Sequence, residues 1–174
     1  MILLLFVIAG LAVGAARGGR LSHLERADLR GFWMPLLSFL LKGLVQWLAP
    51  GSPWDWLLTL AQYLLLLGFS LLWSRCSWAW PFGLGTLCNG LVILLNGGRM
   101  PVSQGLVLWA GTEELAARLA AGAVPGYTLQ TAATRLPWLG DILAVGPLGY
   151  ASVGDLLLGV GAGMLAFRLI RPPK

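Results

Sequence analysis

With 174 residues, of which 57% are hydrophobic and 11% charged, the chain is long enough for one helical bundle but too poor in ionic side chains to give it a water-facing surface. Soluble domains carry about 25% charged residues, so this composition excludes an ordinary aqueous globule unless lipid covers the apolar surface. Twelve Lys and Arg against seven Asp and Glu leave a net charge of +5, but the basic residues flank apolar runs, which argues against a nucleic-acid partner and makes them topology signals and contacts for anionic lipid headgroups.

The first apolar run, Ile2 to Ala16, follows Met1 directly and is succeeded by Arg17 and Arg20, the reverse of the charge order in a secretory signal. It reads as a retained anchor with its N-terminus outside. Its length of about 22 Å is short for a hydrocarbon core of about 30 Å, so Arg17 is expected to snorkel. The segment Arg17 to Arg30 is the densest charge cluster and is expected to be cytoplasmic; its His23 has no partner at ligand spacing. A second span covers 32–49 and stops at Pro50-Gly51, with Lys42 inside it. Lys42 either snorkels to the outer headgroups or pairs with one of the two aspartates discussed below. Ser52-Pro53-Trp54-Asp55 predicts a capped start for the third span, 53–73. After a link carrying Arg75 comes the fourth span, 81–95, and the last span, 153–170, ends in Arg168, Arg171 and Lys174.

Threading five spans from an outside N-terminus puts Arg17, Arg20, Arg26, Arg30, Arg75, Arg168, Arg171 and Lys174 on the cytoplasmic side and Arg99, Arg118 and Arg135 outside, which agrees with the positive-inside rule. Trp33, Trp73, Trp78 and Trp80 fall at the inner boundary and Trp47, Trp54 and Trp56 at the outer one, as two aromatic belts. Gly10-x-x-x-Gly14 and Gly159-x-x-x-Gly163 place small residues one turn apart on the first and last spans, which predicts close helix contact in the bundle interior. Cys76 and Cys88 define no disulfide framework or thiolate metal site.

The connection 97–152 is too long for a passive turn and too apolar for disorder. Thr112-Glu113-Glu114 opens a helix that Gly122 stops, and the whole segment is expected to lie as a helical cap on the outer membrane face.

Two places in this region carry polar chemistry. Asn96-Gly97-Gly98-Arg99 combines a helix stop with an amide and a guanidinium fork; Gly97 reads as a left-handed C-cap, and Arg99 as a ligand for a lipid phosphate or a carboxylate. Asp141 and Asp155 stand at the entrance of the last span, where a carboxylate near hydrocarbon is expensive. Asp155 also fits a capping box with Ser152, and Asp141 a salt bridge to Arg99 or Arg135. If the two aspartates converge with Asn96, they would share a proton and activate water. No phosphate loop, zinc pattern or Ser-His arrangement is present, so no cofactor and no metal is expected.

An aspartate dyad on the external face of a small bundle, its second member opening the final span, resembles lipoprotein signal peptidases; the Asn-x-x-Asp-Arg stretch of that family is absent here. The ordered set Arg17-Gly-Gly-Arg20-Leu-Ser, Asn96-Gly-Gly-Arg99-Met-Pro-Val, Leu136-Pro-x-Leu-Gly-Asp141 and Ser152-x-Gly-Asp155 is similar to the small bacterial membrane proteins grouped as a domain of unknown function, number 5317. That resemblance covers essentially the whole chain. It implies an integral protein of the bacterial cell membrane and supplies no activity.

The expected fold is all-α: five transmembrane helices with an external helical loop. The leading functional reading is an integral membrane protein of unknown biochemical activity, without demonstrated catalysis, in which Asn96, Arg99, Asp141 and Asp155 form one polar cluster at the outer interface that binds lipid or another ligand or locks the cap, with Lys42 as a further contact. A membrane aspartyl hydrolase using Asp141 and Asp155 is the alternative, and a small transporter the second alternative.

Overall fold

The computed structural model describes residues 2–28, 30–48, 55–109, 112–146 and 149–171. Five long helices, α1 (Ile2–Ala16), α2 (Trp33–Leu48), α3 (Asp55–Leu72), α4 (Ala79–Leu95) and α7 (Val153–Ile170), coincide with the five apolar runs to within about two residues. The short helices α5 (Gln104–Trp109) and α6 (Glu113–Ala120) lie in the long connection. Of the five expected spans, α3 and α7, at 18 residues each, are long and apolar enough to cross a membrane. α1 and α4 are apolar but shorter, and at about 1.5 Å per residue helices of this size fall somewhat below a hydrocarbon core of about 30 Å.

The long helices lie in the spatial order α1, α7, α4, α3, α2. α7 is the pillar of this row because its small residues serve two faces. A methyl group at Gly10 would collide with the backbone carbonyl of Gly163, and one at Gly85 with the carbonyl of Gly154, so glycine is what brings α1 and α4 against α7 at backbone distance. The two glycine pairs first expected inside the bundle therefore differ in setting. α7 is interior, whereas α1 is peripheral: Gly14 is its buried residue, and Leu4, Leu5, Ile8 and Val13 point away from the protein.

The far end of α1 is tied to the end of α7. The Arg20 N–H donates to the Ile170 carbonyl at 2.9 Å, and His23 Nδ1 reaches the same oxygen at 2.8 Å. The partner of the His23 ring is thus a helix-terminal carbonyl that no helical N–H can reach.

Around Phe69 the aromatic rings of Phe32, Trp78 and Phe82 meet edge to face or tilted, and Trp73 adjoins Trp78. Trp78 is only 2% exposed, so it belongs to this core and not to an interfacial belt. Burial against three aromatic neighbours, Phe69, Trp73 and Phe82, outweighs the preference of indole for a boundary. Trp33, Trp56 and Trp80 are exposed. The Trp47 side chain, Trp54, Lys174, the Pro50-Gly51 turn and the Ser52-Pro53 part of the expected cap lie outside the described residues.

The connection after α4 is a mixed cap, not a purely helical one. Strand β1 (Met100–Val102) runs parallel to β2 (Tyr127–Leu129), and β3 (Leu143–Ala144) antiparallel to β4 (Tyr150–Ala151). α5 and α6 form the crossover that a parallel pair needs. Val102, Val107 and Leu119 make the cap's own small core, and Met100 joins Tyr63, Val92 and Ile93 to fasten it to α3 and α4. Gly97 at φ +69° ends α4 and Gly122 at φ +69° ends α6, as their positions predict.

Candidate functional site

The N-terminus of α7 organises the site. Ser152 Oγ accepts from the Asp155 N–H at 2.9 Å, and Asp155 Oδ2 accepts from the Ser152 N–H at 3.0 Å, the reciprocal capping box that its sequence predicts. The remaining capacity of both side chains goes to Asn89, in the middle of α4. Its amide donates to Asp155 Oδ1 at 2.7 Å, and its Oδ1 accepts from Ser152 Oγ at 2.8 Å. Asn89 fits there because residue 154 is glycine: a methyl group would strike its side-chain oxygen.

Asp141 arrives from the cap. Its N–H donates to the Pro101 carbonyl and its carbonyl accepts from the Ser103 N–H, each at 2.9 Å, which stitches it beside β1. The side chain is 5% exposed, and its Oδ1 is buried without a hydrogen-bond partner. Burial, and secondarily the neighbouring charge of Asp155, push its carboxyl up to about 7, with Lys42 pulling in the opposite direction.

Asp141 and Asp155 line one cavity of about 580 Å³, together with Lys42, Gln62, Tyr63 and Asn89. Tyr127 and Tyr150 of the cap also border it, while Phe39, Leu66, Phe82, Leu158 and Leu165 make the remainder apolar. Residues of both α1 and α2 line it, so the row of helices curves around the cavity. Among the described residues α1 and α2 themselves share no substantial packing.

The polar cluster expected from sequence therefore divides. Asp141, Asp155 and Lys42 share the cavity, although no ion pair joins Lys42 to either aspartate among the described residues. Asn96 and Arg99 are not in its lining. Asn96 grips the backbone of Arg135, donating to its carbonyl at 2.8 Å and accepting from its N–H at 3.0 Å. This holds the chain where Leu136 adopts φ +51°, a conformation that costs a branched residue energy. The Arg99 guanidinium lies against Gly122, and neither Arg99 nor Arg135 forms an ion pair with Asp141. Asn96→Ala is expected to cost about 1–2 kcal/mol and to expose 131–136 to protease; thermal melts and limited proteolysis check this.

Asn89, Gln62 and Tyr63 are cavity residues that the charge-based reading passed over. A signal existed for Asn89, a lone amide in the middle of an apolar run, because polar side chains at such depth need partners. Among the described residues no group of three His, Cys, Asp or Glu side chains is placed to hold a metal ion.

No curated protein and no solved structure gives a significant match to this chain. A family model described as a family of unknown function, DUF5317, matches residues 26–167. That stretch begins at Arg26, inside the first charge cluster, ends at Phe167 in the last turn of α7 and includes the polar residues named above for the cavity, and the chain belongs to this family.

Proposed function

We propose that this is an integral membrane protein that crosses the bilayer five times and holds an amphipathic molecule in the cavity beneath its cap. The observation that carries the reading is one cavity that joins two carboxylates and two amides to a wall of leucine and phenylalanine and is lined by residues of both α1 and α2; in this reading the occupant enters between those two helices, which share no substantial packing among the described residues. A lipid-like ligand has that polarity profile and approaches from the bilayer plane. Exposed side chains on all five long helices support the membrane location: Leu5, Leu40, Leu64, Leu87 and Val160 are each more than a third exposed, and such a surface needs apolar solvent. The shorter helices are accommodated by snorkelling and local thinning. The excess of arginine near α1 and α7 favours a bacterial cell membrane orientation with the cap outside and the C-terminus cytoplasmic, with Arg17 and Arg171 beside the Phe167 ring positioned for anionic headgroups.

Native mass spectrometry from lipid nanodiscs tests the binding. The unsubstituted chain is expected to retain one amphiphile, and Leu158→Trp, which fills the apolar wall, to retain none while keeping its helicity; equal retention by both removes the cavity from the function. For orientation, Glu113→Cys should react with an impermeant maleimide in intact cells and Glu25→Cys only after permeabilisation. The reverse pattern inverts the topology.

A second reading, a membrane aspartyl hydrolase resembling lipoprotein signal peptidases, is favoured by Asp141, whose carboxyl titrates near neutrality on the same cavity as Asp155. In that reading Asp141 supplies the proton and Asp155 activates water. The hydrogen bonds that hold both Asp155 oxygens to Ser152 and Asn89 weigh against it. The transporter reading has less support, since none of the cavity helices is interrupted within its described length.

A further inference from the structure

The head of the bound molecule is constrained by the charges that face the cavity. From α7 comes Asp155, from the cap Asp141, and from α2 Lys42, which is exposed and outside ion-pair distance of both. Tyr63 of α3 and the cap residues Tyr127 and Tyr150 add hydroxyls without charge in their ordinary state. Carboxylates outnumber cations at this end of the cavity. Asp155 is already oriented by donors on both oxygens, so neither oxygen is left without a partner.

Asp141 is different. Among the described residues that line the cavity, it is the buried carboxyl whose Oδ1 has no hydrogen-bond partner. A buried acceptor left unmatched is destabilising, and a buried carboxylate without a counter-charge more so. An incoming ammonium supplies both the missing donor and the missing charge, and an ionised donor makes the stronger hydrogen bond. A carboxylate or phosphate head would instead meet two like charges with only Lys42 to offset them.

On the reading that the cavity is a ligand site, we infer that its occupant is an amphiphile with a protonated amine head, whose nitrogen bonds to Asp141 and lies in the field of Asp155. The alkyl portion then runs along Leu66, Phe82 and Leu158 toward the side of the cavity lined by α1 and α2. The occupant comes from the membrane, because a water-soluble amine leaves the apolar wall unfilled.

The test uses the full-length chain in maltoside micelles at pH 8, with four probes of different head and length: dodecylamine, dodecanol, dodecanoate and propylamine. Binding is read by adduct formation in native mass spectrometry and by the shift in melting temperature. Dodecylamine is expected to bind at least about tenfold more tightly than dodecanoate or dodecanol, and propylamine not to register. Between pH 6 and pH 8 dodecylamine affinity should rise about tenfold as Asp141 loses its proton. Asp141→Asn, an isosteric change, should abolish both the amine preference and that rise.

The possible failures are distinct. Equal binding of the three dodecyl probes by the unsubstituted chain overturns the amine assignment and leaves the cavity reading standing. Binding of none of them overturns both. Propylamine binding as tightly as dodecylamine overturns the membrane source, and a tenfold amine preference that survives in Asp141→Asn removes Asp141 as the contact.

Discussion

Asp141→Asn is expected to raise the stability of the ligand-free protein above pH 7 by up to about 4 kcal/mol and to flatten its dependence on pH. In the folded chain the Asp141 carboxyl titrates at about 7, against an ordinary value of 3.8. Between those two values the folded state binds more protons than the unfolded state, so stability falls as pH rises. The contribution is fully present below about pH 4 and is lost as pH passes through about 7. A difference of about three pH units at about 1.4 kcal/mol each sets the upper limit. Asparagine has the same shape and no charge, so the variant lacks this loss. Unfolding in micelles at pH 5 and pH 8 measures it: the unsubstituted chain should be less stable at pH 8 by a margin that the variant does not show. A variant with the same slope as the parent would mean that Asp141 is hydrated or paired in solution, and the argument for an amine would lose its physical basis.

The second large effect is expected at the contact of α1 with α7. Gly10→Val should destabilise the protein by about 3 kcal/mol or more and free α1 from the row. Small-to-large changes in a packed interior cost about 1–3 kcal/mol when side chains can adjust. Here the neighbour of the new Cβ is the Gly163 backbone carbonyl, which has no rotamer to change, so the helices must separate. Gly43→Ala on α2 is the control, since nothing lies within 4 Å of the added methyl; it should be neutral or stabilising by up to about 1 kcal/mol through helix propensity. Melting temperatures and tryptic cleavage between Arg17 and Arg20 distinguish the two variants. Comparable effects from both would show that α1 is not held by close backbone approach.

Much of the helical layout was legible locally. Apolar runs bounded by Arg17, by Arg30-Gly31, by Trp73-Ser74 and by Gly97 marked the helices, and the Ser152/Asp155 capping box marked the start of α7. Gly97 and Gly122 announced their left-handed stops. The paired glycines of the first and last helices marked faces where backbones approach closely, but not that these two helices meet each other or that α1 lies at the edge of the row. Less legible were the short strands of the cap. Met100–Val102 and Tyr127–Leu129 are too brief for alternation to show, and they pair only because α5 and α6 bring them together. Trp78 looked like an interfacial anchor because it adjoins a boundary; its burial depends on Phe69 and Phe82, which lie on two different helices.

The candidate site follows the same division. Composition and hydrophobic runs by themselves determined where helices form and that their outer faces are apolar, because burial-independent patterns and backbone stops act over a few residues. They also singled out Asp141 and Asp155 as costly charges beside hydrocarbon. Only the tertiary structure decided which polar groups meet: Asn89, 66 residues before Asp155, turned toward it, whereas Asn96 turned to the Arg135 backbone. Each residue along a helix rotates its side chain by about 100°, and the distance between α4 and α7 is set by whether a glycine stands at their crossing. The direction of a side chain and the closeness of its neighbour thus depend on how two distant segments dock, which neither segment encodes alone.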